Sequence, residues 1–70
     1  MNLTAAEIEN IKVMYLRERE AAQKLFVEKC TIRKHRHTIF QKLSTHTTAE
    51  TILKALKMGL VKIDDYLLED

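Results

Sequence analysis

The stretch Thr31-Ile32-Arg33-Lys34-His35-Arg36-His37-Thr38-Ile39-Phe40-Gln41-Lys42-Leu43 sets apolar residues at Ile32, Ile39 and Leu43, with His35 and Phe40 beside them. That spacing forms one stripe on a helix. The opposite side carries Arg33, Lys34, Arg36, His37 and Gln41. A helix divided in this way packs one face on a small domain and turns guanidinium, ammonium and imidazole donors outward. Phosphates and base edges can accept them there.

Charge supports the same division. The formal net charge of +2 is modest for a nucleic-acid binder, but it is unevenly placed. Residues 17–42 hold eight Lys and Arg against three acids, a net of +5, and the remainder holds four against seven, a net of −3. Only the local field meets a phosphate, so the asymmetry matters more than the total.

At 70 residues the chain is one domain with a thin core, for which a second subunit is a common stabilising remedy. The single cysteine, Cys30, permits no internal disulfide, and no leader, membrane span or lipidation motif is present, which predicts a reducing, cytoplasmic setting and no membrane partner. Cys30, near a helix N-terminus, is a minor redox candidate. His35 and His37 lie on different helix faces and His46 in a loop, which is not metal-ligand spacing, so neither metal nor cofactor is expected. A nucleophile needs a positioned base and an oxyanion site, and nothing here supplies them; the chain is not expected to be an enzyme.

Four helices are predicted and no strand. Thr4-Ala5-Ala6-Glu7 reads as a capping box opening the first, with Ile8, Ile11, Met14 and Tyr15 inward. The second runs from about Arg17 to Leu25, with Ala21, Ala22 and Leu25 inward, and Phe26-Val27-Glu28 turns into the basic helix at about Lys29 to Leu43. After a polar break, Thr47-Thr48-Ala49-Glu50 reads as a second capping box. It opens a helix with apolar Ile52, Leu53, Leu56 and Met58, closed by the only glycine, Gly59. Residues 1–63 form the predicted domain and 64–70 an acidic tail that adds one short turn or frays. Two helices joined by a three-residue turn, the second basic and exposed, describe a helix-turn-helix.

The order and spacing of these pieces resemble the LuxR-type (GerE-type) DNA-binding domain over roughly residues 3–61. The matching residues are Leu3-Thr4 with Glu7 and Glu9, then Glu20-Ala21-Ala22 with Leu25 and Val27. They continue as Thr31-Ile32-Arg33-Lys34-His35-Arg36 with Ile39 and Lys42-Leu43, and end in Ala49-Glu50. The chain departs from the family pattern at several points. The junction near Tyr15 and Leu16 is about two residues short and lacks its usual glycine. Ala5 replaces a frequent proline, Phe26 and Ser44 stand where glycine is frequent, and Glu28 replaces a serine or threonine. The Glu28 carboxylate can cap free N–H groups but brings negative charge towards the DNA backbone.

The resemblance implies an all-α, four-helix LuxR/GerE-type fold whose third helix enters the major groove of double-stranded DNA. It implies base contacts from Arg33, Lys34 and His37. Arginine and lysine both suit the acceptor edge of guanine. It implies backbone contacts or orientation from Arg17, Arg19, Lys29, Thr31, His35, Arg36 and Lys42, with His35 also fixing the helix to the domain. A dimer contact through the fourth helix points to Thr51, Leu53 and Leu56. The expected function is a stand-alone transcription regulator that binds a partly palindromic site as a homodimer, with RNA polymerase as a candidate further partner. The competing expectation is an interaction module of the same fold, an adaptor or inhibitor of polymerase or of a larger regulator.

Overall fold

Four α-helices make up most of the computed structural model, which describes residues 2–66. They are α1 (Ala5–Lys12), α2 (Glu18–Leu25), α3 (Lys29–Leu43) and α4 (Thr48–Met58), followed by a 3-10 turn at Ile63–Asp65. No strand occurs among the described residues, and the fold is all-α. The last four positions of the expected acidic tail, and Met1, lie outside them. No helix among the described residues is long and apolar enough to cross a membrane.

Local chemistry starts the helices. At α1 the Thr4 hydroxyl accepts the Glu7 N–H at 3.1 Å and the Glu7 carboxylate accepts the Thr4 N–H at 2.9 Å, the reciprocal box expected. At α4 only half of the box forms. Thr47 Oγ1 accepts the Glu50 N–H at 3.1 Å, but the Glu50 carboxylate takes the His46 N–H at 2.8 Å, one residue upstream of the cap. Glu28 occupies the N-cap of α3 without a side-chain cap bond, contrary to the capping role considered for it; its carboxylate lies 3.7 Å from the Cys30 thiol.

One device ends three of them. Phe26 (φ 58°), Ser44 (φ 56°) and Gly59 (φ 76°) each adopt the left-handed conformation. The next residue closes the helix with a bond five residues back: Val27 to Ala22, Thr45 to Phe40 and Leu60 to Ala55, at 3.0, 3.0 and 2.9 Å. Two of the three places suited to glycine are therefore filled by residues with a Cβ, and these are the two where the family resemblance expected glycine. The corner between α1 and α2 needs no glycine, because no residue there has a positive φ. Its turns close through Val13 to Asn10, Met14 to Ile11 and Leu16 to Val13.

Apolar packing divides into two clusters that share α3. Ile11, Met14, Ile39, Leu43, Ala55 and Val61 form the larger, flanked by Leu3, Ile8, Phe40, Ile52, Leu56, Leu60 and Tyr66. Val13, Ala21, Ala22 and Ile32 form the smaller, with Leu16 and Leu25 against it. The alanines of α2 are buried as expected, and they let α2 approach α3 closely. Tyr15 was expected inward but is 45% exposed, resting edge-on against Tyr66 at a centroid distance of 6.0 Å. On α4 the buried centre is Thr51 and Ala55, one turn apart; Leu53 falls off that line and is exposed, while Met58 continues the line but is exposed as the last residue of the helix.

Candidate nucleic-acid interface

Because Ile32, Ile39 and Leu43 are buried, the helical period fixes what α3 presents on its far side. Cys30, Lys34, His37 and Gln41 recur at the helical spacing and are all exposed, with Arg33 exposed on the flank of the same stripe. The three expected base readers thus share one outward surface. Beside it Arg17 and Arg19 at the N-terminus of α2 and Lys29 at the start of α3 surround one hollow, together with Glu18 and Glu20. All three cations are exposed. The free N–H groups of a helix start add a partial positive charge to that hollow.

The remaining expected contacts divide. Thr31 and His35 are half-buried at the edge of α3, where neither can project as far as the outer stripe. Arg36 was expected to reach phosphate, but its Nη2 donates to the carbonyl of Leu16 at 2.8 Å and weakly to that of Val13 at 3.5 Å. It braces the α1–α2 corner from below, and burial pushes its guanidinium pKa down. Lys42 is likewise engaged inside the fold. Its ammonium lies 2.8 Å from the Glu7 carboxylate and 2.9 Å from the Asn2 carbonyl. Glu7 is 5% exposed, and the bond from Lys42, followed by the Thr4 N–H, holds its carboxyl below the ordinary value of 4.5. Both side chains are set by partners distant in sequence, which helical periodicity does not report.

Thr51, expected at the dimer contact, does not reach the surface. It is fully buried, donates to the Thr47 carbonyl at 2.8 Å and lies 2.6 Å from the Thr45 hydroxyl, so it cannot form a subunit surface. Leu53, by contrast, is 55% exposed, and Leu56 is half-buried against the larger cluster. Lys54 folds back to donate to the Leu43 carbonyl at 2.7 Å, placing a cation at the negative end of α3.

One acid among the cations was not anticipated. Glu18, the first residue of α2, accepts a hydrogen bond from Arg33 Nη2 at 3.1 Å. The bond from Arg33 is the main cause holding the Glu18 carboxyl below its ordinary value, and Arg33 is raised in return. Glu18, Arg33, Arg36, His37, Phe40 and Thr48 line one hollow along α3. The packing and rotamers that join these two side chains, 15 residues apart, were not legible from spacing.

Comparison of the chain with protein-family models, curated proteins and solved structures finds no match.

Proposed function

We propose that the chain is a sequence-specific DNA-binding regulator of the LuxR type that places α3 in the major groove and binds a partly palindromic site as a homodimer. The observation that carries this reading is the outward stripe of α3. Lys34 and His37, with Arg33 on the flank, stand exposed and side by side, while both apolar clusters hold the helix from behind. Such a rigid display of donors is what base-edge reading requires. Arg17, Arg19 and Lys29 supply phosphate contacts beside it. The backbone set is narrower than the family resemblance implies, because Arg36 and Lys42 are engaged internally. The dimer contact is assigned to the exposed Leu53 and its neighbours on α4.

A second reading, the protein-interaction module, is favoured by Phe26, which is 93% exposed in the turn before α3. The two readings separate on salt. Selection of bound sites from a random duplex pool should return half-sites about 10 bp apart. With roughly 6 to 10 phosphate contacts per dimer, log affinity should fall against log salt with a slope of about −5 to −9. No enrichment, or a slope near −1, rejects DNA reading in favour of the adaptor.

A further inference from the structure

We propose that Glu18 is the positioning residue for Arg33, so that a carboxylate on α2 helps set the base preference of α3; this deepens the DNA-reading function proposed above and rests on it. An exposed arginine on a helix samples many rotamers, and each must be given up when it meets a base. Arg33 is the exception on its surface. Its side chain is 64% exposed yet bonded across the helix-turn-helix to Glu18, whose side chain is only 31% exposed. Among the described residues the ion pairs are Lys12 with Glu9, Arg33 with Glu18 and Lys42 with Glu7, so the neighbouring readers Lys34 and His37 have no such partner.

The geometry leaves the arginine able to read. Glu18 takes a single bond from Nη2, which carries two protons, so the other Nη2 proton still forms a fork with Nε–H or with Nη1–H for the paired acceptors of a guanine edge. Glu18 is itself held by its place in the first turn of α2, where the helix dipole favours a carboxylate. The pair is too exposed to matter much to folding. It matters to orientation, as a supporting carboxylate does wherever a site residue must be aimed before the ligand arrives.

Removing the carboxylate therefore has two effects of opposite sign. Loss of a negative charge beside the phosphates strengthens binding to every duplex, while loss of the bond frees Arg33 and weakens its discrimination. The experiment measures binding of the full chain and its Glu18→Gln, Arg33→Ala and double variants. The probes are the duplex preferred by the parent and its three substitutions at the base pair that Arg33→Ala shows to be read by Arg33. Glu18→Gln should bind unrelated duplex about two- to threefold more tightly and lose about three- to tenfold of its preference at that base pair. In the Arg33→Ala background it should cost no preference at all. Helix content and thermal midpoint should stay at parental values.

Unchanged preference in Glu18→Gln overturns the proposal, and shows Glu18 to be a competitor if affinity rises equally for all duplexes. An equal loss on all duplexes with a lowered midpoint also overturns it, showing a structural residue. The reading beneath it fails separately and visibly: a parent without preference at any base pair is no sequence reader, and Glu18 then has nothing to position.

Discussion

The two apolar clusters that α3 joins are built from different side chains. Towards its C-terminal half, Ile11, Met14, Ile39, Leu43 and Val61 meet with a ring of partly buried leucines, isoleucines and aromatics. Towards its N-terminal half, next to the exposed donors, the core is Val13, two alanines and Ile32, with only Leu16 and Leu25 partly buried against it. Little apolar area holds α2, and the Arg36 brace on the Leu16 carbonyl supplements it. The half that presents the proposed DNA surface is thus the thinner one, and the half that carries α4 anchors the fold. Regions with few buried apolar contacts open at lower free energy than the core.

The largest effects should come from truncating the same residue type in each cluster. Ile39 and Ile32 are both fully buried. Ile39→Ala should cost about 3 to 4 kcal/mol and Ile32→Ala about 2 to 3, read by urea denaturation. Amide exchange sharpens the contrast: Ile32→Ala should deprotect α2 well before α4, whereas Ile39→Ala should deprotect both together. Equal deprotection in the two variants would make the clusters one cooperative core.

Next in size is Lys42→Ala, which leaves the buried Glu7 carboxylate without its cation and should cost about 2 to 3 kcal/mol at pH 7. Glu7 is depressed in the folded state, so its contribution is complete above the ordinary value of 4.5 and is lost as pH falls below it towards the folded value. The gap in thermal midpoint between parent and variant should accordingly be full at neutral pH and close in acid. A gap that persists unchanged to low pH would mean that Lys42 acts by packing alone.

Tyr66→Phe should cost about 1 kcal/mol by removing the 2.6 Å bond that its hydroxyl donates to the Ile11 carbonyl. Burial, more than the neighbouring Asp65 charge, pushes the Tyr66 phenol from 10.0 up to about 12. A raised phenol stabilises the fold below pH 10 and loses that contribution as pH rises towards 12. Thermal midpoints of the parent should drop across that interval, and those of Tyr66→Phe should lack the corresponding fall.

The smallest effects have the other sign. Phe26→Gly should stabilise by about 0.5 to 1 kcal/mol, because it removes left-handed strain from a side chain with almost no packing to lose. Ser44→Gly should gain about half as much. If Phe26→Gly instead destabilises, the freedom that glycine adds to the unfolded chain outweighs the strain it relieves.

Where the helices begin and end was largely legible from the residues themselves. The Thr4 box, the start of α3 at Lys29 and the stop at Gly59 all rest on bonds spanning three to five residues, and such bonds are written into adjacent sequence. So was the buried stripe of α3, since a period of 3.6 needs no partner to be seen. The free or engaged state of each cation was a different matter. Arg33, Lys34, Arg36 and Lys42 look alike in the sequence, yet Lys34 stands open, Arg33 is tied to Glu18, Arg36 to the Leu16 carbonyl and Lys42 to Glu7. Those partners lie 15, 20 and 35 residues away. Thr51, polar yet fully buried, belongs with them, because its hydroxyl is satisfied by Thr45 and Thr47 across the loop into α4. Hydrogen bonds within one turn depend on neighbours along the chain, so the sequence determined the four helices and the face that α3 buries. A long side chain chooses among acceptors that only packing brings within 3 Å, so the tertiary structure decided which charges were left to meet a ligand.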